Sequence, residues 1–171
     1  MVTVLSETKE FYPAIHEVNV LAFGRESEAR LVERLRESTD FIQELSLVAL
    51  KEGRVVGHIL FSPVSIETEA GTFPALALAP MAVHPGYQNQ GIGSQLVRQE
   101  LDHCRKLGHK VVILVGHPEY YPRFGFILAK SKRLVAPFPV PDEAFMVIEL
   151  ERGALDGIAG MVKYPAEFDG V

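Results

Sequence analysis

The chain has a single cysteine, Cys104, among its 171 residues. An intrachain disulfide is therefore excluded, and a cysteine-based metal site is disfavoured; no metal is expected. There is no basic excess: 17 Lys and Arg face 22 Asp and Glu, a formal net charge of -5. A nucleic-acid partner calls for the opposite balance. Long hydrophobic runs are missing too. The longest, 76–83 and 111–115, are far too short to cross a bilayer, so no membrane partner is expected. The opening MVTVLSETKE lacks the basic segment and apolar stretch of a signal peptide, which makes the cytoplasm the expected location. No repeat, low-complexity tract or Gly/Ser/Pro-rich linker divides the chain, and one domain over 1–171 is expected. What is present, 47% hydrophobic and 23% charged residues, is enough for a core that needs no staple.

The apolar pattern predicts a short strand at 2–5 and helices at about 11–22 and 28–37. In the second helix Ala29, Leu31, Val32 and Leu35 form a stripe among Arg and Glu. From Ser46 the period changes to that of strands. Extended runs at 46–50, 55–68 and 73–83, separated by turns at 51–54 and 69–72, predict an antiparallel meander. A long helix is expected at 91–107, with Ile92, Leu96, Val97, Leu101, Cys104 and Leu107 on one face and Gly108 as its C-cap. A strand at 110–115 follows. Strand, helix, strand is a crossover unit, so the strands ending at Val83 and Val115 should run parallel. A helical turn at 119–123, a strand from Gly125 and a strand at 145–150 complete an α+β (α/β) fold with a mixed sheet.

The segment with chemical content is Val83-His84-Pro85-Gly86-Tyr87-Gln88-Asn89-Gln90-Gly91-Ile92-Gly93-Ser94, between a strand end and a helix start. A helix start exposes N–H donors and the positive end of the dipole, which suits phosphate. Gly91 and Gly93 let an anion approach the backbone with no Cβ in the way, and Ser94 can add a hydroxyl. The stretch is neither a Walker A loop, since no Gly-Lys-Ser/Thr closes it, nor a dinucleotide fingerprint, since Leu96 stands where a third glycine belongs. A phosphate cradle and a loop that merely turns the chain remain the two readings of these residues alone.

The spacing Gln88-x-x-Gly91-x-Gly93 resembles the Gln/Arg-x-x-Gly-x-Gly/Ala signature of the GNAT acetyltransferase superfamily. Tyr121-Pro122-Arg123-Phe124-Gly125-Phe126 is similar to that superfamily's Tyr-x-x-x-Gly-Phe segment. The run from Gly116 to Phe126, and residues 154–168, resemble a bacterial branch, the YhbS-like group. The resemblance covers essentially the whole chain. It implies the GNAT fold: an antiparallel N-terminal meander, a splayed parallel strand pair joined by a long helix, and helices on both faces.

The resemblance also implies an N-acetyltransferase that uses acetyl-CoA as co-substrate and an amine, on a small molecule or a protein, as acceptor. Backbone N–H groups of Gln88, Asn89, Gln90, Gly91, Ile92, Gly93 and Ser94 would hold the pyrophosphate. Backbone groups of Met81, Ala82 and Val83 would pair with the pantetheine arm. Tyr121 matches the tyrosine that protonates the departing thiolate. Many relatives carry a glutamate base on the strand before the loop; 73–83 has no carboxylate, so this chain departs from that pattern, and the readings are His117 as base, Glu119 behind it, a water chain, or no dedicated base for an amine of low pKa. Arg98 is a candidate for the 3′-phosphate, against solvated helix surface as the plainer reading. Arg25, Glu26 and Arg30 fall where the family's acceptor loop lies. A homodimer is compatible with the family. Two other readings compete: a non-catalytic acyl-CoA sensor on the same fold, and a generic phosphate or nucleotide binder.

Overall fold

A computed structural model describes residues 1–171. Its elements are β1 (Thr3–Ser6), α1 (Tyr12–Phe23), α2 (Ser27–Glu37), β2 (Ser46–Lys51), β3 (Arg54–Thr68), β4 (Gly71–Val83), α3 (Ile92–Lys106), β5 (Val111–Val115), β6 (Ile127–Leu128), β7 (Leu134–Val135), β8 (Phe145–Glu149) and β9 (Gly160–Lys163). Hydrogen-bonded neighbours follow the order β1-β2-β3-β4-β5-β8-β6, and β9 pairs with β3 and β7. The sheet is mixed. β1–β2, β2–β3, β5–β8, β6–β8 and β3–β9 are antiparallel, while β4–β5 and β7–β9 are parallel. The parallel β4–β5 pair is the one the crossover order demands. No helix is long and apolar enough to cross a membrane.

By contacts the chain forms two compact units. The first holds 1–62, 79–103 and 166–171. Here α1 starts on a proline in its first turn and stops at Gly24, whose φ of 69° is the left-handed cap glycine tolerates best. Its Ile15 and Val18, with Leu31, Val32 and Leu35 of α2, bury against Val48 and Leu60. The other face of the same strands receives α3. Gly57, opposite Ala49, leaves room for it: a Cβ there would stand 3.1 Å from Leu96 Cδ1 and 3.2 Å from Ile92 Cγ2. Alternation along β3 thus puts helices on both faces, as the resemblance implied.

The second unit holds 63–78 and 104–165. Its centre is β5, buried from Val111 to Leu114 and paired with β8 over five positions. On its other side β5 meets β4 at only two positions, Leu76↔Val112 and Ala77↔Ile113. Two residues beyond Leu78, β4 reaches Pro80, which follows a cis Ala79–Pro80 bond and has no N–H to give a ladder.

Several expectations need correction. α3 ends at Lys106, and Leu107 is 48% exposed rather than part of the buried stripe. The strand expected from Gly125 is only Ile127–Leu128; Gly125, at φ 102°, instead closes a 3-10 turn at Tyr121–Phe124. β7 and β9 fall outside every predicted strand. They are two and four residues long, too short to show a period.

Candidate active site

The loop after β4 is built by its own side chains. His84 Nδ1 accepts the Gly86 N–H at 3.0 Å, so this histidine shapes a 3-10 turn. Gln88 reaches back, and its Nε2 donates to Val83 O at 3.0 Å. Asn89 and Gly91 then take left-handed φ of 62° and 84°. Gln95 N–H donates to Gly91 O at 3.0 Å, which fixes the first turn of α3. Ahead of that bond the N–H groups of Gln88, Asn89, Gln90 and Gly91 donate to no other group of the protein. Gln88 through Gly91 are exposed, and Gly93 and Ser94 are half-buried. The result is a run of exposed donors at the positive end of a 15-residue helix. Met81 and Val83 are half-buried on β4, and Ala82 is buried between them.

In the second unit, β5 ends at Val115 and the chain turns at Gly116. His117 O accepts the N–H of Tyr120 at 3.1 Å, which starts the turn that carries Tyr121. Tyr121 is 8% exposed. Tyr120 and Phe126 meet its ring edge-to-face at centroid distances of 5.0 and 5.9 Å. Its hydroxyl has no hydrogen-bond partner within the protein. Burial, with the Tyr120 hydroxyl adding to it, pushes the phenol above its ordinary value, so it holds its proton through the whole neutral range. The His117 side chain is exposed and lacks the second hydrogen bond that would orient a general base. Glu119 is exposed as well.

The remaining candidates divide plainly. Cys104 is buried on the α3 stripe, as expected for an inert thiol. Arg25 grips Glu28 through two hydrogen bonds, and Arg30 pairs with Glu26 at 2.7 Å, so these charges are engaged with one another. Arg98 already has an interaction within the fold.

Sequence reasoning missed the buried polar residues of the first unit. Glu7, fully buried, takes two hydrogen bonds from Arg36, at 2.8 and 3.1 Å, and one from Ser46 Oγ at 2.6 Å. Ser46 Oγ lies 3.0 Å from His58 Nε2, and Asn19 Nδ2 lies 3.3 Å from His58 Nδ1. The donors fix the proton positions. Asn19 donates to Nδ1, so Nε2–H donates to Ser46, whose hydroxyl donates to Glu7. Serine, histidine and amide in this order look like a nucleophile with its base. The hydroxyl, however, is fully buried and its proton is committed to Glu7, so no substrate can take it. Burial, with Arg36 adding to it, pushes His58 down to about 3. The cluster is a neutral rivet through α1, α2, β2 and β3. Glu100, fully buried on α3 with both carboxylate oxygens unpartnered, was also missed. Its spacing, four from Leu96 and four from Cys104, places it on the apolar stripe.

The profile of the acetyltransferase (GNAT) domain matches residues 4–129. YjhQ of Escherichia coli K12, an uncharacterized N-acetyltransferase, is 43% identical over 130 residues, 75% of this chain and 72% of its own. YhbS of the same strain, likewise an uncharacterized N-acetyltransferase, is 38% identical over 158 residues, 92% of each chain. The structure of E. coli YhbS in complex with CoA superposes with a TM-score of 0.90 at 34% identity, over 98% of this chain and 91% of that one. A GNAT acetyltransferase from Brucella melitensis, in complex with acetyl-CoA, gives 0.81 at 30% identity over 99% of both chains. The chain therefore belongs to the GNAT acetyltransferases and has their fold. It is an acyltransferase, and within that family it is similar to the YhbS-type N-acetyltransferases.

Proposed function

We propose that this acyltransferase moves the acetyl group of acetyl-CoA to a primary amine by direct attack within a ternary complex. The observation that carries the reading is the run of exposed, acceptor-free N–H groups from Gln88 to Gly91 ahead of α3. Such donors suit a pyrophosphate, and Ile92, Gly93 and Ser94 extend them into the first turn. Two similar proteins, E. coli YhbS and the Brucella enzyme, were solved with CoA and acetyl-CoA, which supports the same co-substrate here. The half-buried backbone of Met81, Ala82 and Val83 is assigned to the pantetheine arm. Val83 O already holds Gln88, so the arm uses the neighbouring groups first.

Attack by the neutral amine on the thioester carbonyl forms the amide and expels CoA as a thiolate. Tyr121 is assigned the proton that the thiolate takes. Burial keeps the phenol protonated at neutral pH, so the proton is present when the thiolate leaves, and the hydroxyl has no hydrogen-bond partner within the protein. The same unpartnered hydroxyl favours an enzyme over a sensor, which has no use for a positioned acid. His117, exposed and with no second partner to orient its ring, is assigned a base role only through water that carries the proton from the acceptor amine. One catalytic domain over 1–171 is part of the proposal; the family profile draws on both compact units.

Calorimetric titration with acetyl-CoA, beside ATP and NAD, tests the reading. Micromolar binding of acetyl-CoA alone is expected. Equal binding of all three, or of none, would overturn it.

A further inference from the structure

The turn of the β2–β3 hairpin lies against the loop that follows β4. Lys51 and Arg54 are directly opposite one another at the hairpin end. Like charges in that arrangement repel, and neither residue has a carboxylate partner to relieve it. The only acidic residue in the turn, Glu52, sits at φ 52° and pairs with neither. Lys51 Nζ lies 5.6 Å from the centroid of the Tyr87 ring, and His84 packs edge-to-face on that ring at 5.5 Å. Both cations are thereby brought to the loop that carries Gln88–Gly91.

Arg54 Nη2 lies 3.5 Å from His84 Nε2. That contact is not a hydrogen bond. His84 Nδ1 accepts the Gly86 N–H, so in the neutral ring the proton is on Nε2. A guanidinium is a donor only. Two N–H groups therefore converge from different elements with no acceptor between them. Two donors aimed at one point, with a lysine nearby, make a patch of positive potential whose geometry suits an anion.

We propose that Arg54, His84 and Lys51 form a phosphate-monoester site that receives the ribose 3′-phosphate of coenzyme A. The proposal rests on the cofactor reading above and adds its recognition element. Arg54 and His84 each donate one hydrogen bond to the phosphate, and Lys51 adds charge. The site selects coenzyme A against nucleotides whose ribose lacks that phosphate. Arg98, the residue the sequence offered for this role, is not needed.

The test is titration of wild type, Arg54→Ala and Lys51→Ala with CoA and with 3′-dephospho-CoA, which differ only in that phosphate. Wild type is expected to bind CoA about tenfold more tightly than dephospho-CoA. In Arg54→Ala the ratio should fall to near one, through weaker CoA binding, while dephospho-CoA binds as before. Lys51→Ala should reduce the ratio by about threefold. Arg54 is exposed and makes no buried contact, so an unchanged melting temperature separates lost recognition from lost folding. A wild-type ratio of one, or a ratio that survives Arg54→Ala, overturns the site and leaves the cofactor reading standing. Failure of both nucleotides to bind wild type overturns the two together.

Discussion

Gly116 and the Tyr121 ring occupy one another's space. A Cβ added at Gly116 would stand 2.5 Å from Tyr121 Cε2 and 3.0 Å from Cδ2. Tyr120 and Phe126 close the ring from other sides, so it has nowhere to retreat without disturbing them. Gly116→Ala should displace the phenol and lower acetyl transfer by about tenfold or more, since small misplacements of a reacting group are costly. The affinity for CoA should hardly change. Thiol release and calorimetry on the same preparation separate the two quantities; equal losses in both would mean general misfolding.

Tyr121→Phe removes only the hydroxyl. The ring packing is kept, and no hydrogen bond within the protein is lost. The expected result is a fall in turnover of about tenfold or more with CoA affinity nearly constant. Unchanged turnover, measured by thiol release with any accepted amine, would remove Tyr121 from the acid role.

Gly91→Val should weaken CoA binding. Nothing lies within 4 Å of a Cβ at this position, so the effect is not a clash with the protein. It comes from φ 84°, which valine rarely adopts, and from a side chain set where the anion is to approach. Calorimetry against wild type checks it. An affinity equal to that of wild type would mean the cradle lies elsewhere.

Glu100 predicts a slope of stability with pH. Burial raises its carboxyl to about 9 in the folded state, against 4.5 for the unconstrained group. The folded state thus holds a proton that the unfolded state releases. This contribution is full below pH 4.5 and is lost as pH rises toward 9. Glu100→Gln keeps the shape and removes the titration. Thermal melts from pH 5 to 9 should therefore show the variant gaining steadily on wild type as pH rises. Parallel curves would refute the assignment.

Two buried serines offer a matched pair. Ser46 joins His58 to Glu7, whereas Ser62 Oγ has no partner. Ser46→Ala strands the His58 N–H and should cost about 1–3 kcal/mol in urea unfolding. Ser62→Ala removes a hydroxyl that gains nothing from burial and should be neutral or stabilising. Equal effects would mean that the Glu7–Ser46–His58 chain contributes little.

What could be read in the sequence is what depends on neighbours along the chain. The α3 stripe is local, so Ile92, Leu96, Val97, Leu101 and Cys104 are all buried as expected. Glu100 was legible by spacing and was hidden by its charge, because carboxylates usually face water. The turn ahead of α3 was legible because it is a matter of backbone, and Gly91, at φ 84°, marks it. The Glu7–Arg36–Ser46–His58–Asn19 cluster was not. Only Ser46 and His58 are near in sequence, 12 residues apart on one hairpin; the bonds that bring in Glu7, Arg36 and Asn19 join residues 29 to 39 apart. The convergence of Arg54 on His84 is hidden for the same reason: the two are 30 residues apart and meet only across β3 and β4.

The first compact unit begins at Met1 and takes in 166–171. Arg34 donates two hydrogen bonds to the carbonyl of Glu167, 133 residues later, at 3.0 and 2.9 Å. During synthesis, α2 therefore emerges long before the residue it is to hold. Whatever the order in which the rest packs, the first unit is complete only when the segment around Glu167 has come back to α2.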